Sequence, residues 1–81
     1  MPLPKGFKER IAAIRDLLRT EGGEWTLERA LNRFSGKNTK AKKQHIEQAI
    51  EALEGAGLLL AYEDPATGEK HWYDASLQAI A

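Results

Sequence analysis

The sequence predicts a small α+β domain, mainly α with a β-hairpin at its C-terminal end, and three observations carry that prediction. Apolar residues recur at helical spacing in three stretches before Gly55. Glycines at 22, 23, 36, 55 and 57 punctuate those stretches where helices should end. After Gly57 the texture changes to a strand-length apolar run, a turn sequence and an aromatic returning segment. At 81 residues there is room for one core, so residues 1–81 read as a single domain.

Phe7, Ile11, Ile14, Leu17 and Leu18 follow a 3.6-residue period, with Lys8, Arg15, Asp16 and Arg19 opposite, which predicts a first helix over about residues 6–20. Gly22-Gly23 ends it. Thr26 is a suitable N-cap for a short second helix over about 26–35 with Leu27, Ala30, Leu31 and Phe34 inward and Gly36 as its C′ residue. After the turn Ser35-Gly36-Lys37-Asn38, Asn38 or Thr39 can cap a third helix over about 39–54. Its buried stripe is expected to be Ala41, Ile46, Ala49, Ile50 and Leu53. Residues 58–74 then read as a two-stranded hairpin turned by Asp64-Pro65-Ala66-Thr67-Gly68, since proline presets φ at one corner and glycine supplies positive φ at the other. A short tail over 75–81 offers Leu77 and Ile80 as anchors.

Composition narrows the function classes. The chain has no cysteine, which removes disulfides, thiolate chemistry and cysteine-ligated zinc. The longest notable apolar run, Leu58 to Tyr62, is too short to cross a bilayer, and Met1-Pro2-Leu3-Pro4-Lys5 lacks the apolar stretch of a secretion signal. The expected location is therefore cytoplasmic, away from membranes. No Ser/His/Asp order or convincing carboxylate pair appears, so no enzyme is expected. His45 and His71 lack a third ligand at a recognisable spacing, and no metal or cofactor is expected. Gly22-Gly23 lacks the flanking strand and lysine of a phosphate loop.

Net charge is zero, but its distribution is uneven. Residues 1–28 sum to zero, Arg29 to Ile46 hold six bases and no acid, and residues 47–81 hold seven acids against Lys70 alone. A polyanion would meet the basic middle. The same lysines also fit a solvated face or contact with an acidic protein. An acid-free stretch of this length in a chain with 30% charged residues favours the polyanion.

The run Ile46-Glu47-Gln48-Ala49-Ile50-Glu51-Ala52-Leu53-Glu54-Gly55-Ala56-Gly57-Leu58-Leu59 resembles the winged helix-turn-helix signature, in which the third helix leaves through a short acidic, small and glycine-containing segment into a wing. The resemblance covers roughly residues 7–75. Gly22-Gly23-Glu24-Trp25-Thr26-Leu27 and the Asp-Pro-Ala-Thr-Gly hairpin are also similar to C-terminal winged-helix segments of plasmid and phage replication proteins of the primase/helicase kind. The resemblance implies three helices plus a two-stranded wing, with the third helix entering the major groove of duplex DNA and the wing touching the backbone or minor groove.

On that expectation, Thr39 and the open amides of the third helix offer a phosphate site surrounded by Lys37, Lys40, Lys42 and Lys43, with Arg33 on the same side. The expected base-reading candidates on this helix are Lys40, Lys43 and Gln44, with His45 or Gln48 beyond them, Gln44 suiting adenine and a lysine guanine. From Glu47 onward the helix face is acidic, so only its first two turns suit DNA. The wing departs from the family's DNA-binding pattern: Glu63, Asp64 and Glu69 outnumber Lys70, leaving Lys70 and His71 as its only candidate contacts. Trp25 and Trp72 fit base-stacking platforms, but core packing with Trp25 near the hairpin is expected. Two functions result: a DNA-binding module in replication or transcription regulation, or a protein-interaction module using the acidic wing or the apolar tail. Oligomeric state is left open.

Overall fold

A computed structural model of the chain describes residues 1–75. It contains α1 (Phe7–Glu21), α2 (Leu27–Arg33), α3 (Lys40–Gly55), β1 (Leu59–Glu63) and β2 (Lys70–Asp74). The architecture is α+β: three helices and an antiparallel hairpin, with Ala61 opposite Trp72 and Tyr62 opposite His71. Leu77 and Ile80 of the expected tail lie outside the described residues.

α1 packs mainly on α3, and the core between them, α2 and the hairpin is built from Ile14, Leu18, Trp25, Leu31, Phe34, Ile46, Ile50, Leu53 and Trp72. Two members of the expected stripes are displaced. Phe7 is 48% exposed, and Ala41 is exposed. In each helix a cation occupies the first position of the buried stripe instead: Arg10, four residues before Ile14, and Lys42, four before Ile46. Their aliphatic stems cover core while the polar heads reach backbone carbonyls. Arg10 Nη1 donates to the Lys5 carbonyl at 2.6 Å, holding the N-terminal strand of chain against α1.

Thr26 caps α2 as expected, its Oγ1 accepting from the Arg29 amide at 3.1 Å. The helix ends earlier than the sequence suggests. Phe34 is extended (φ −108°, ψ 136°) and buried, because the chain must leave the helix there to turn the ring into the core. Gly36, with φ +96°, is therefore a residue of the α2–α3 turn and not the C′ of α2.

The hairpin turn follows its sequence signal. Asp64 Oδ1 accepts from the Ala66 amide at 2.8 Å, the Asp64 amide donates to the Glu69 carbonyl at 2.8 Å, and Gly68 sits at φ +75°. Trp25 comes to the hairpin as expected. Its backbone exchanges hydrogen bonds of 2.7 and 2.8 Å with Trp72, forming an isolated antiparallel bridge on the side of β2 away from β1. Trp25 is fully buried, and its indole donates to the Gly22 carbonyl at 3.0 Å.

Candidate nucleic-acid interface

The residues proposed from sequence to meet a polyanion divide into free cations and cations already engaged within the fold. Thr39 is the N-cap of α3, its Oγ1 accepting from the Lys42 amide at 3.1 Å. The amides of Lys40 and Ala41 in the first turn have no hydrogen-bond partner among the described residues. Lys37, Lys40 and Lys43 are exposed and make no ion pair among the described residues. Gln44 and Gln48 are exposed one and two turns further along α3.

Lys42 does not belong with them. It is 8% exposed, and its Nζ donates to the Phe34 carbonyl at 2.7 Å, the Gly36 carbonyl at 3.2 Å and Asn38 Oδ1 at 2.9 Å. An ammonium has three donors, and all three are used to close the α2–α3 turn. Arg33 points to α1 instead of the α3 start: its Nε donates to Glu21 Oε2 at 2.8 Å and its Nη2 makes a second bond to the same oxygen. Arg29 stacks over the Trp25 ring at 3.7 Å and donates to the Glu24 carbonyl at 2.7 Å, tying down the α1–α2 loop. Of the six bases between Arg29 and Ile46, three remain free.

The basic side chains of the hairpin are likewise engaged. Lys70 Nζ lies 3.2 Å from Glu54 Oε1, which also accepts from the Trp72 indole at 3.2 Å. The Lys70 bond, followed by the Trp72 bond, holds the Glu54 carboxyl below its ordinary pKa. His71 is half-buried and its ring stacks on Tyr62 with centroids 5.1 Å apart. Its Nδ1 is 3.3 Å from Glu24 Oε2 but off-line for a hydrogen bond. The Tyr62 hydroxyl donates to Glu24, and loss of that donor on ionisation pushes the phenol up to about 12. His71 thus faces its own fold. Trp25 and Trp72, both buried, are core residues and not stacking platforms.

The sequence reading missed the burial of Lys42, although its position four residues before Ile46 on the stripe was a signal. It also missed the pairings of Arg33 with Glu21 and Lys70 with Glu54, which carry no local signal because the partners are distant in the chain. Among the described residues no group of histidine, cysteine and carboxylate side chains is arranged to hold a metal ion, and no helix is long and apolar enough to cross a membrane. In comparisons with known proteins the chain matches no family model, no curated protein and no solved structure.

Proposed function

We propose that the chain is a winged helix-turn-helix module that binds duplex DNA, serving replication or transcription regulation of plasmid or phage type. The observation that carries this reading is the free cationic tip of α3: Lys37, Lys40 and Lys43 around a Thr39-capped first turn with two open amides. A phosphate docking there gains the helix dipole and charge-assisted bonds together. Gln44 is exposed one turn further along the helix and is a residue type that can pair with an adenine edge in the major groove. The order of elements and the Trp25 bridge beside the hairpin support the winged-helix assignment. The contact is narrow, because Glu47 and Glu51 follow on the exposed face.

Fluorescence-anisotropy titration of a labelled duplex at low ionic strength tests the reading. Lys40→Glu with Lys43→Glu is expected to abolish binding while far-UV circular dichroism is unchanged. Absence of salt-sensitive binding by the wild-type protein to any duplex sinks it.

A second reading, an interaction module, is favoured by the wing. Glu63, Asp64 and Glu69 are opposed there by Lys70 alone, which is itself bonded to Glu54. The apolar tail invoked for that reading lies outside the described residues.

A further inference from the structure

Between α2, α3 and the hairpin runs an open groove of about 640 Å³. Leu27 of α2 is the partly exposed apolar residue lining it, and beneath it only the edges of the core residues Leu31 and Trp72, 4% and 6% exposed, reach the groove. Its rim is acidic. Glu28 stands on the α2 side, Glu47 and Glu51 stand one turn apart along α3, and Glu69 closes the wing side. Lys43 and Lys70 are the only bases lining it, and Lys70 is bonded to Glu54. Four carboxylates against two ammonium groups leave a formal charge of −2, and Glu54 makes it more negative. None of Glu28, Glu47 and Glu51 has an ion-pair partner among the described residues.

A solvated acidic face needs no apolar lining, and a DNA backbone would be repelled by these carboxylates. We propose that the groove docks a basic amphipathic helix of a partner protein, which sets an apolar side chain against Leu27 and the edges of Leu31 and Trp72 and aligns arginine or lysine with Glu28, Glu47, Glu51 and Glu69. The geometry suits this occupant. Glu47 and Glu51 are spaced by roughly 6 Å along α3, the spacing of cations at i and i+4 on a facing helix. Laying an apolar stripe into a groove while flanking charges pair at the rim is a recurrent mode of helix recognition. The arginine heads become partly desolvated against unpaired carboxylates, so the rim selects basic sequences and rejects acidic ones. The inference rests on the interaction reading; Lys43 is shared between the α3 tip and the groove, whereas Lys37 and Lys40 lie outside the groove lining and are the tip residues that separate it from DNA binding.

The test uses the full chain and a blocked synthetic helix with a leucine stripe flanked by arginines, together with a twin carrying glutamate at every arginine. NMR titration is expected to shift the amides of Leu27, Leu31, Glu47 and Glu51 and the Trp72 indole with the basic helix, and nothing with the twin. Glu28→Gln, Glu47→Gln and Glu51→Gln together should weaken binding by about tenfold or more with unchanged circular dichroism. Shifts centred elsewhere, or affinity unchanged in the triple variant, overturn the proposal. So does spermine producing the same shifts and displacing the helix, which would make the groove a simple cation site. Lys37→Glu with Lys40→Glu is expected to leave helix binding intact, so failure of the DNA reading and failure of this one are separately visible.

Discussion

The Lys42 ammonium donates to the Phe34 carbonyl at 2.7 Å across the turn that joins α2 to α3. That bond, with those to Gly36 and Asn38, makes Lys42 the pin of the α2–α3 turn, its ammonium already engaged within the fold. Lys42→Met keeps the stem but leaves carbonyls in the turn without a donor. It should cost about 2 kcal/mol, whereas Lys40→Met and Lys43→Met should stay within about 0.5 kcal/mol. Urea unfolding followed by circular dichroism measures all three, and equal effects at the three sites would refute the pin.

On the proposed DNA-binding reading, the three free lysines set the salt response. Counterion release by three phosphates gives a slope of log affinity against log salt of about −3, whereas engagement of six cations would give about −5. Arg33→Gln should leave the slope unchanged, because that guanidinium is held by Glu21. A slope near the steeper value, reduced by Arg33→Gln, would show that the ion pair opens on binding.

Acid should loosen the attachment of the hairpin to α3. With its folded-state pKa depressed by Lys70 and Trp72, ionised Glu54 contributes stability above its ordinary 4.5. The contribution fades as pH falls through the lower folded-state value. The stability difference between wild type and Glu54→Gln, taken from urea curves across the acid range, should therefore be present at neutral pH and vanish in strong acid. A difference independent of pH would mean that the carboxylate's charge is not involved.

The helices were readable because capping residues and apolar periodicity are local. Thr26 caps the helix that the sequence assigns to it, Thr39 is the one of the two candidates Asn38 and Thr39 that caps α3, and the Asp64 to Gly68 turn forms where proline and glycine direct it. The expected proximity of Trp25 to the hairpin also holds. What escaped was the fate of individual cations. Lys37, Lys42 and Arg33 carry the same charge in one acid-free stretch, and only Lys42 has a local signal, its place on the buried stripe of α3; yet one is exposed, one closes a turn and one is paired with α1. Only the fold brings Phe34 and Glu21 within reach of the last two. The groove was equally invisible, since its acids come from α2, α3 and the wing loop, and no stretch of chain contains them together.

The mutual backbone bonds of Trp25 and Trp72 have a mechanical consequence. Trp25 stands two residues before the first residue of α2, and Trp72 lies at the centre of β2, so two walls of the groove are stitched to each other through the main chain. Substituting either indole leaves that stitch chemically possible, because the peptide groups make it. The jaws therefore meet an incoming helix at a preset gap, and recognition falls to the side chains on their rims.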